Sequence, residues 1–201
     1  MESKIENIYI FGVGAAGSNI FLNLLHAYPG LNFTVLDFDK VEDRNIFPGT
    51  QPYIKADLNR PKTQAIQRIA QVSKQKKIKA VNTKVVSKKD IKDFVGDVKT
   101  TLLIDCFDNA KSRNLFLGLK HHVVHVGFSA SLTGEVVWDD TFEPMEESKS
   151  DNEIDVCEMA IARPFIMGLT SIGSIVISDF IDNGKKTNVY FDKYLNIKKY
   201  N

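Results

Sequence analysis

Cysteine is nearly absent from this 201-residue chain, which has only Cys106 and Cys157. Two thiols build neither a disulfide framework nor a four-cysteine zinc site, so neither is expected. A dominant charge sign is also missing. Twenty-six basic and 25 acidic residues leave a formal charge of +1, which gives the whole chain no electrostatic reason to seek nucleic acid or a membrane surface. No long hydrophobic run is present either. The most apolar stretch, 164–178, is interrupted by Gly168, Gly173 and several hydroxyl residues. It is too short to span a bilayer and reads as a buried helix. The first residues, Met1 to Lys4, lead straight into a strand pattern with no signal-peptide core, so a reducing cytoplasm is the expected location.

What is present is an alternation of apolar strands and helical segments, with 43% apolar and 25% charged residues, the balance of a globular domain. Residues 8–11 form a short apolar run suited to a strand buried on both faces. A glycine-rich loop follows, then a helix to about His26, closed by Pro29-Gly30. Residues 33–36 form a second strand ending on Asp37-Phe38-Asp39. After a polar connection with Pro48, Gly49 and Pro52, Pro61 opens a helix whose apolar face is Ala65, Ile66, Ile69 and Ala70. Further strands are expected over 80–86, 101–104, 123–126 and 135–138, with a helix from Asn109 carrying Leu115, Phe116 and Leu119. A crossover loop spans 139–163, and nine acidic residues fall between Asp139 and Glu158. Its plain reading is a solvated loop, with a partner-facing loop as the alternative. A long helix then runs from Pro164 to about Asp182, stopped by Asn183-Gly184, and 185–201 reads as a C-terminal tail. The pattern predicts one domain over 1–201, of the Rossmann-like, doubly wound α/β class. Its sheet is expected to be mainly parallel, with helices on both faces.

The loop Gly12-Val13-Gly14-Ala15-Ala16-Gly17 is a weak signal alone but stands in the right context, after a buried strand and opening a helix. The first glycine permits the tight turn, the second lets phosphate approach the backbone, and the third lets helix pack on strand. The helix start then binds anionic phosphate. Asp37, twenty residues after Gly17, is placed to accept from ribose hydroxyls. NAD, S-adenosylmethionine and ATP all remain open at this point. Tyr194 and Lys198 have the spacing of a dehydrogenase pair, but they lie outside the strand-end rim and read as coincidence. His121, His122 and His125 straddle a strand and read as solvated or core histidines rather than a catalytic base. Three further segments favour a nucleoside triphosphate: the doubled acid Asp37 and Asp39 with its crossover to Arg44-Asn45, Lys62 at a helix start, and Asp108-Asn109 after a strand. Lysine neutralises phosphate oxygens, and a spare carboxylate holds Mg2+.

In this order and spacing the chain resembles the ThiF/MoeB family, the ubiquitin-activating-type enzymes that adenylate the C-terminal glycine of ubiquitin-like and sulfur-carrier proteins. Their glycine loop is followed by Asp-x-Asp-x-Val-Glu-x-x-Asn, then Gly-Lys-Pro-Lys, then Asp-x-x-Asp-Asn-x-x-x-Arg. Here these correspond to residues 12–17, 37–45, 60–62 and 105–113, and the likeness covers most of 5–183. The resemblance implies an ATP-dependent, Mg2+-using adenylyltransferase, commonly a homodimer, whose partner is a small carrier protein or peptide ending in glycine. It places Gly12, Gly14 and Ala15 along the phosphates, with Gly17 closing the loop, and Asp37 on the ribose. Asn45 and Lys62 would contact phosphates, Asp39 and Arg44 would border the nucleotide, and Asp108 would hold Mg2+ beside Asn109. Arg113 would orient the Asp-Asn turn.

The sequence departs from the family pattern in three places. Pro48 stands where the family has an arginine, leaving Arg44, Arg60 or a second subunit to supply the charge. No helical extension precedes the first strand, and the paired Cys-x-x-Cys zinc motifs are missing. Cys157 occupies the loop where relatives carry thioester or sulfur-transfer cysteines, though the surrounding acids would raise its pKa and favour an inert thiol. Cys106, at a strand end, reads as core packing. The alternatives are a nucleotide-binding interaction module of the same fold without turnover, and an NAD- or S-adenosylmethionine-dependent enzyme.

Overall fold

The computed structural model describes residues 5–143, 159–194 and 196–200. Eight strands form one sheet in the order β3-β2-β1-β4-β5-β6-β7-β8. The first five positions, β3 (Lys79–Asn82), β2 (Asn32–Asp37), β1 (Asn7–Phe11), β4 (Thr101–Asp105) and β5 (His122–Phe128), are parallel. Strands β1 and β4 are buried on both sides because helices cover both faces, which is why they read as unbroken apolar runs. The order reverses between β1 and β4, and a ligand crevice opens at such a switch point outside the strands' carboxyl ends.

One face carries α1 (Ala15–Ala27), α3 (Lys62–Lys74) and α6 (Ala162–Asn183), packed through Ile20, Phe21, Leu24, Ile66 and Ile177 onto Ile8, Ile10 and Val35. Complete burial of side chains this size contributes about 1.5–3 kcal/mol each. The opposite face carries α4 (Lys88–Phe94) and α5 (Ala110–Arg113), with Ile91 and Phe116 against Phe11, Leu36 and Leu103. The short α2 (Asp43–Ile46) lies in the connection after β2. Local chemistry sets the ends. Ser87 caps α4 by accepting from the Asp90 N–H, Gln75 closes α3 at φ 52°, and Gly184 closes α6 at φ 70°. Among the described helices α6 is long and apolar enough to cross a membrane by length and composition. Here its apolar side packs on α1 and β6 (Gly134–Trp138).

The sheet is mainly parallel, as expected, and the structure adds detail to the rest. The sheet's far side is antiparallel: β6 turns back on β5, β7 (Asn188–Phe191) returns beside β6 after α6, and β8 (Ile197–Tyr200) turns back on β7. Residues 185–201 are therefore no free tail: they supply β7 and β8. Val189 and Phe191 are buried while Tyr190 faces out, the period of a half-covered strand. The helix expected from Asn109 ends at Arg113 and passes through a 3-10 turn, 114–116, before Gly118 at φ 73° reverses the chain. The third strand stops at Asn82 rather than Val86, since the Asp90 carboxylate takes the Val86 and Ser87 N–H groups into the α4 cap. Most of the acidic loop expectation, 144–158, lies outside the described residues.

Candidate nucleotide site

The glycine loop joins β1 to α1 at the switch point. Gly12 adopts φ 84°, and a Cβ there would lie 2.9 Å from the Cys106 carbonyl. A Cβ on Gly17 would lie 2.0 Å from the Gly12 carbonyl oxygen. Gly14 differs: a Cβ on it would meet nothing within 4 Å. Two glycines thus allow close packing, and the third borders open space. Gly14 is also the N-cap of α1 and has no side chain to accept from the first turn. The N–H groups of Ala15, Ala16 and Gly17 therefore have no intrahelical acceptor and no side-chain cap. That is the local arrangement which binds phosphate.

Asp37, at the tip of β2, is fixed against this loop. Its two carboxylate oxygens accept from the Val13 and Asp39 N–H groups, each at 2.8 Å. Burial raises its pKa above the ordinary aspartate value, outweighing the nearby Lys62 charge and the two backbone donors. Asp39 is exposed and its carboxylate holds the Lys62 ammonium at 3.0 Å. Lys62 itself is only 8% exposed, so it is no freely solvated helix lysine. Its backbone N–H bonds the Asp39 carbonyl at 2.9 Å, which fixes the start of α3 to the end of β2. Behind them Asp57, fully buried, takes both arms of Arg68 at 2.8 and 2.6 Å. Burial would raise the Asp57 pKa, but the Arg68 hydrogen bonds and the Ile54 N–H bring it below the usual value. Asn45 is buried, and its side-chain oxygen accepts from the Glu42 N–H at 2.9 Å, shaping α2. Arg44 lies on the surface against Glu42 at 2.6 Å.

The third segment closes the rim from β4. Gly12 and Gly17 abut Cys106, and Gly12 abuts Phe107, so this turn flanks the glycine loop. Asp108 is exposed, and its carboxylate accepts from Asn109 Nδ2 at 3.2 Å. Asn109 caps α5 through the Ser112 N–H at 2.8 Å. Among the described residues no cluster of three or more acidic, histidine or cysteine side chains could hold a metal alone. An open single carboxylate beside a phosphate loop nevertheless suits Mg2+, which takes one or two carboxylates together with phosphate oxygens and water. Arg113 is buried and does not reach Asp108. It pairs with Glu135 at 2.8 Å and Asp105 at 3.5 Å. Its influence on the turn passes through Asp105, whose other oxygen accepts the Phe107 N–H at 3.0 Å. Burial, reinforced by Asp105, drives the Cys106 thiol far up in pKa, consistent with packing rather than reactivity.

Several residues here went unread in the sequence. His125, fully buried on β5, bonds Asp105 through Nδ1 at 2.8 Å and stacks on Phe142 at 3.6 Å between ring centroids. The register of β4 and β5, which sets Asp105 against His125, was the signal that could have found this pair. Asn19 binds the Ala15 and Thr50 carbonyls, both at 2.8 Å, and so ties the loop containing Pro48 to α1. A cavity of about 520 Å³ opens beyond Arg113, lined also by Phe128, Glu135, Tyr190, Phe191 and Lys198. Cys157 lies outside the described residues.

None of the curated protein sequences matches this chain. Solved structures do. E. coli MccB with ATP superposes with a TM-score of 0.74 at 12% identity, over 100% of this chain and 65% of MccB. MccB in complex with N-formylated MccA gives 0.73 at 12% identity, with the same coverage. Selenomethionyl PaaA gives 0.72 at 15% identity, over 99% of this chain and 64% of PaaA. The chain therefore spans just under two thirds of these proteins' lengths, and at such identities the likeness is one of fold. The sequence model of the ThiF family matches residues 3–134, well over half the chain. On that match, and on the fold that carries it, the chain belongs to the ThiF family.

Proposed function

We propose that the chain is an adenylyltransferase that uses MgATP to activate a carboxylate on a peptide or small carrier protein. One observation carries this reading: Lys62, nearly buried, is held by Asp39 beside Asp37 and the open glycine loop. A charged lysine kept out of water at a phosphate-binding turn suits a polyphosphate better than a dinucleotide's hydride chemistry. The ATP and MccA complexes of MccB support the same class of substrates.

In this reading the first-turn N–H groups of α1 receive the phosphates and Asp37 receives the ribose. The acceptor carboxylate attacks the α-phosphorus, the bond to the bridging oxygen breaks, and pyrophosphate departs with both electrons. The acceptor is already the nucleophile, so the chain's residues position it and neutralise charge. Lys62 stabilises the charge that builds on the α-phosphate. Asp108 would hold Mg2+, which supplies further charge neutralisation on the phosphates when bound. The cavity beyond Arg113 would receive the acceptor.

Pyrophosphate–ATP exchange with candidate peptides and carrier proteins tests this. Lys62→Ala and Asp108→Ala should each lower exchange by about a hundredfold or more. Unchanged exchange in Asp108→Ala would remove the metal assignment. The second reading, an interaction module that binds nucleotide without turnover, is favoured by Pro48 and predicts a thermal shift with MgATP but no exchange with any acceptor.

A further inference from the structure

The cations at this rim are mostly neutralised by neighbours. Lys62 faces Asp39 at 3.0 Å, Arg44 faces Glu42, and Arg113 lies between Asp105 and Glu135. Arg163 differs. It is exposed on the first turn of α6, and among the described residues it pairs with no carboxylate. Its bond is from a guanidinium N–H to the Gly49 carbonyl. One donor of five is used, and the planar fork that suits phosphate oxygens stays available.

Its place in the fold follows from how α6 lies against α1. Helices α1 and α6 run side by side in the same direction. Asn23 reaches the Thr170 carbonyl and Ser174, and one turn lower Tyr28 reaches the Ser178 carbonyl and Asp182. Both helices therefore begin at the strands' carboxyl rim. A strap of chain, 48–50, lies between their first turns. Asn19 holds the Thr50 carbonyl to α1 at the level of Ala15, while Arg163 holds the adjacent Gly49 carbonyl. Gly49 adopts φ 65°, a conformation that glycine takes without strain, at the point where its carbonyl meets Arg163. Pro48 contributes no charge to the strap. A guanidinium reaches it instead from the other side, out of α6.

We propose that Arg163 binds the terminal phosphates of the nucleotide and so makes this site select a triphosphate over a monophosphate. The proposal rests on the nucleotide site described above. Through the Gly49 carbonyl and the Thr50–Asn19 bond Arg163 is tied to the first turn of α1, the phosphate end of the site, and in this proposal its charge acts on the part of the ligand that AMP lacks.

Calorimetric titration of wild type, Arg163→Ala and Arg163→Lys with MgATP and with AMP tests it. Arg163→Ala should weaken MgATP by about tenfold or more, the worth of a charge-assisted contact, and leave AMP within about twofold. Arg163→Lys should recover part of the loss, since a point charge replaces a two-pronged one. A purely structural role in holding the strap would weaken both ligands alike. That result, or unchanged MgATP affinity in Arg163→Ala, overturns the assignment. Wild type that binds neither ligand overturns the nucleotide reading itself.

Discussion

Asp37 carries the clearest electrostatic strain in the site. Its carboxylate is buried and takes two backbone N–H donors, yet its pKa remains raised because burial is the largest effect. In the unfolded chain the same group titrates near the ordinary 3.8. Between that value and the raised folded value, the native state binds more proton than the unfolded state, so stability falls as pH rises through this window and is level above it. Asp37→Asn cannot titrate. Urea unfolding of both proteins from pH 4 to 7 should show wild type losing stability relative to Asp37→Asn on the acid side, then running parallel. A relative gain with rising pH would mean that the donors and Lys62 outweigh burial. In the neighbouring network Asp105 is fully buried, faces His125 and Arg113, and holds the Phe107 N–H that shapes the Asp108 turn.

At the scale of elements, the loop between β1 and α1 separates two uses of glycine. A methyl on Gly17 would strike the Gly12 carbonyl at 2.0 Å, whereas a methyl on Gly14 meets open space. Gly17→Ala should therefore cost about 3 kcal/mol or more of stability, since neither backbone can yield. Gly14→Ala should stay within about 0.5 kcal/mol, yet reduce the thermal shift given by MgATP, because the added carbon fills the space a phosphate would approach. Denaturation midpoints with and without MgATP separate the two cases. Full MgATP stabilisation of Gly14→Ala would place the phosphates elsewhere. This loop, with β1, β2 and β4, was legible in the sequence because local pattern determines it: apolar runs covered on both faces and three glycines at fixed spacing. The short α5 was not, since Leu115 and Phe116 fit a helix period equally well in a 3-10 turn. The Lys62–Asp39 pair, the His125–Asp105 pair and the reach of Arg163 all depend on which strands and helices are neighbours. No local window contains that information. β7 left a trace in Val189-Tyr190-Phe191, a short run of residue types that favour strands, but the lysines around it read as a solvated tail.

For the whole molecule, the antiparallel extension determines how the two halves of the site are held. The proposed nucleotide half lies on β1, β2 and β4, while the cavity beyond Arg113 is walled by β5, β6, β7 and the turn into β8. Arg113, ion-paired with Asp105 on one side and Glu135 of β6 on the other, bridges the two. Removing residues 185–201 would strip β7 from β6 and uncover the edge of a largely buried strand. It would also take away Val189 and Phe191, each worth about 1.5–3 kcal/mol when buried, and the Asn188 side-chain oxygen that accepts the Trp138 backbone N–H at 2.9 Å. The truncated chain should unfold at clearly lower urea and self-associate through the open β6 edge, as read by size-exclusion chromatography. Whatever fraction remains folded and monomeric should still respond to MgATP, because among the described residues none of those removed borders the glycine loop, Asp37 or Lys62. An unchanged urea midpoint would show that the β7–β8 hairpin is an appendage to the sheet. Loss of the MgATP response in the folded fraction would show that the nucleotide half depends on the cavity half, through Arg113 and Asp105.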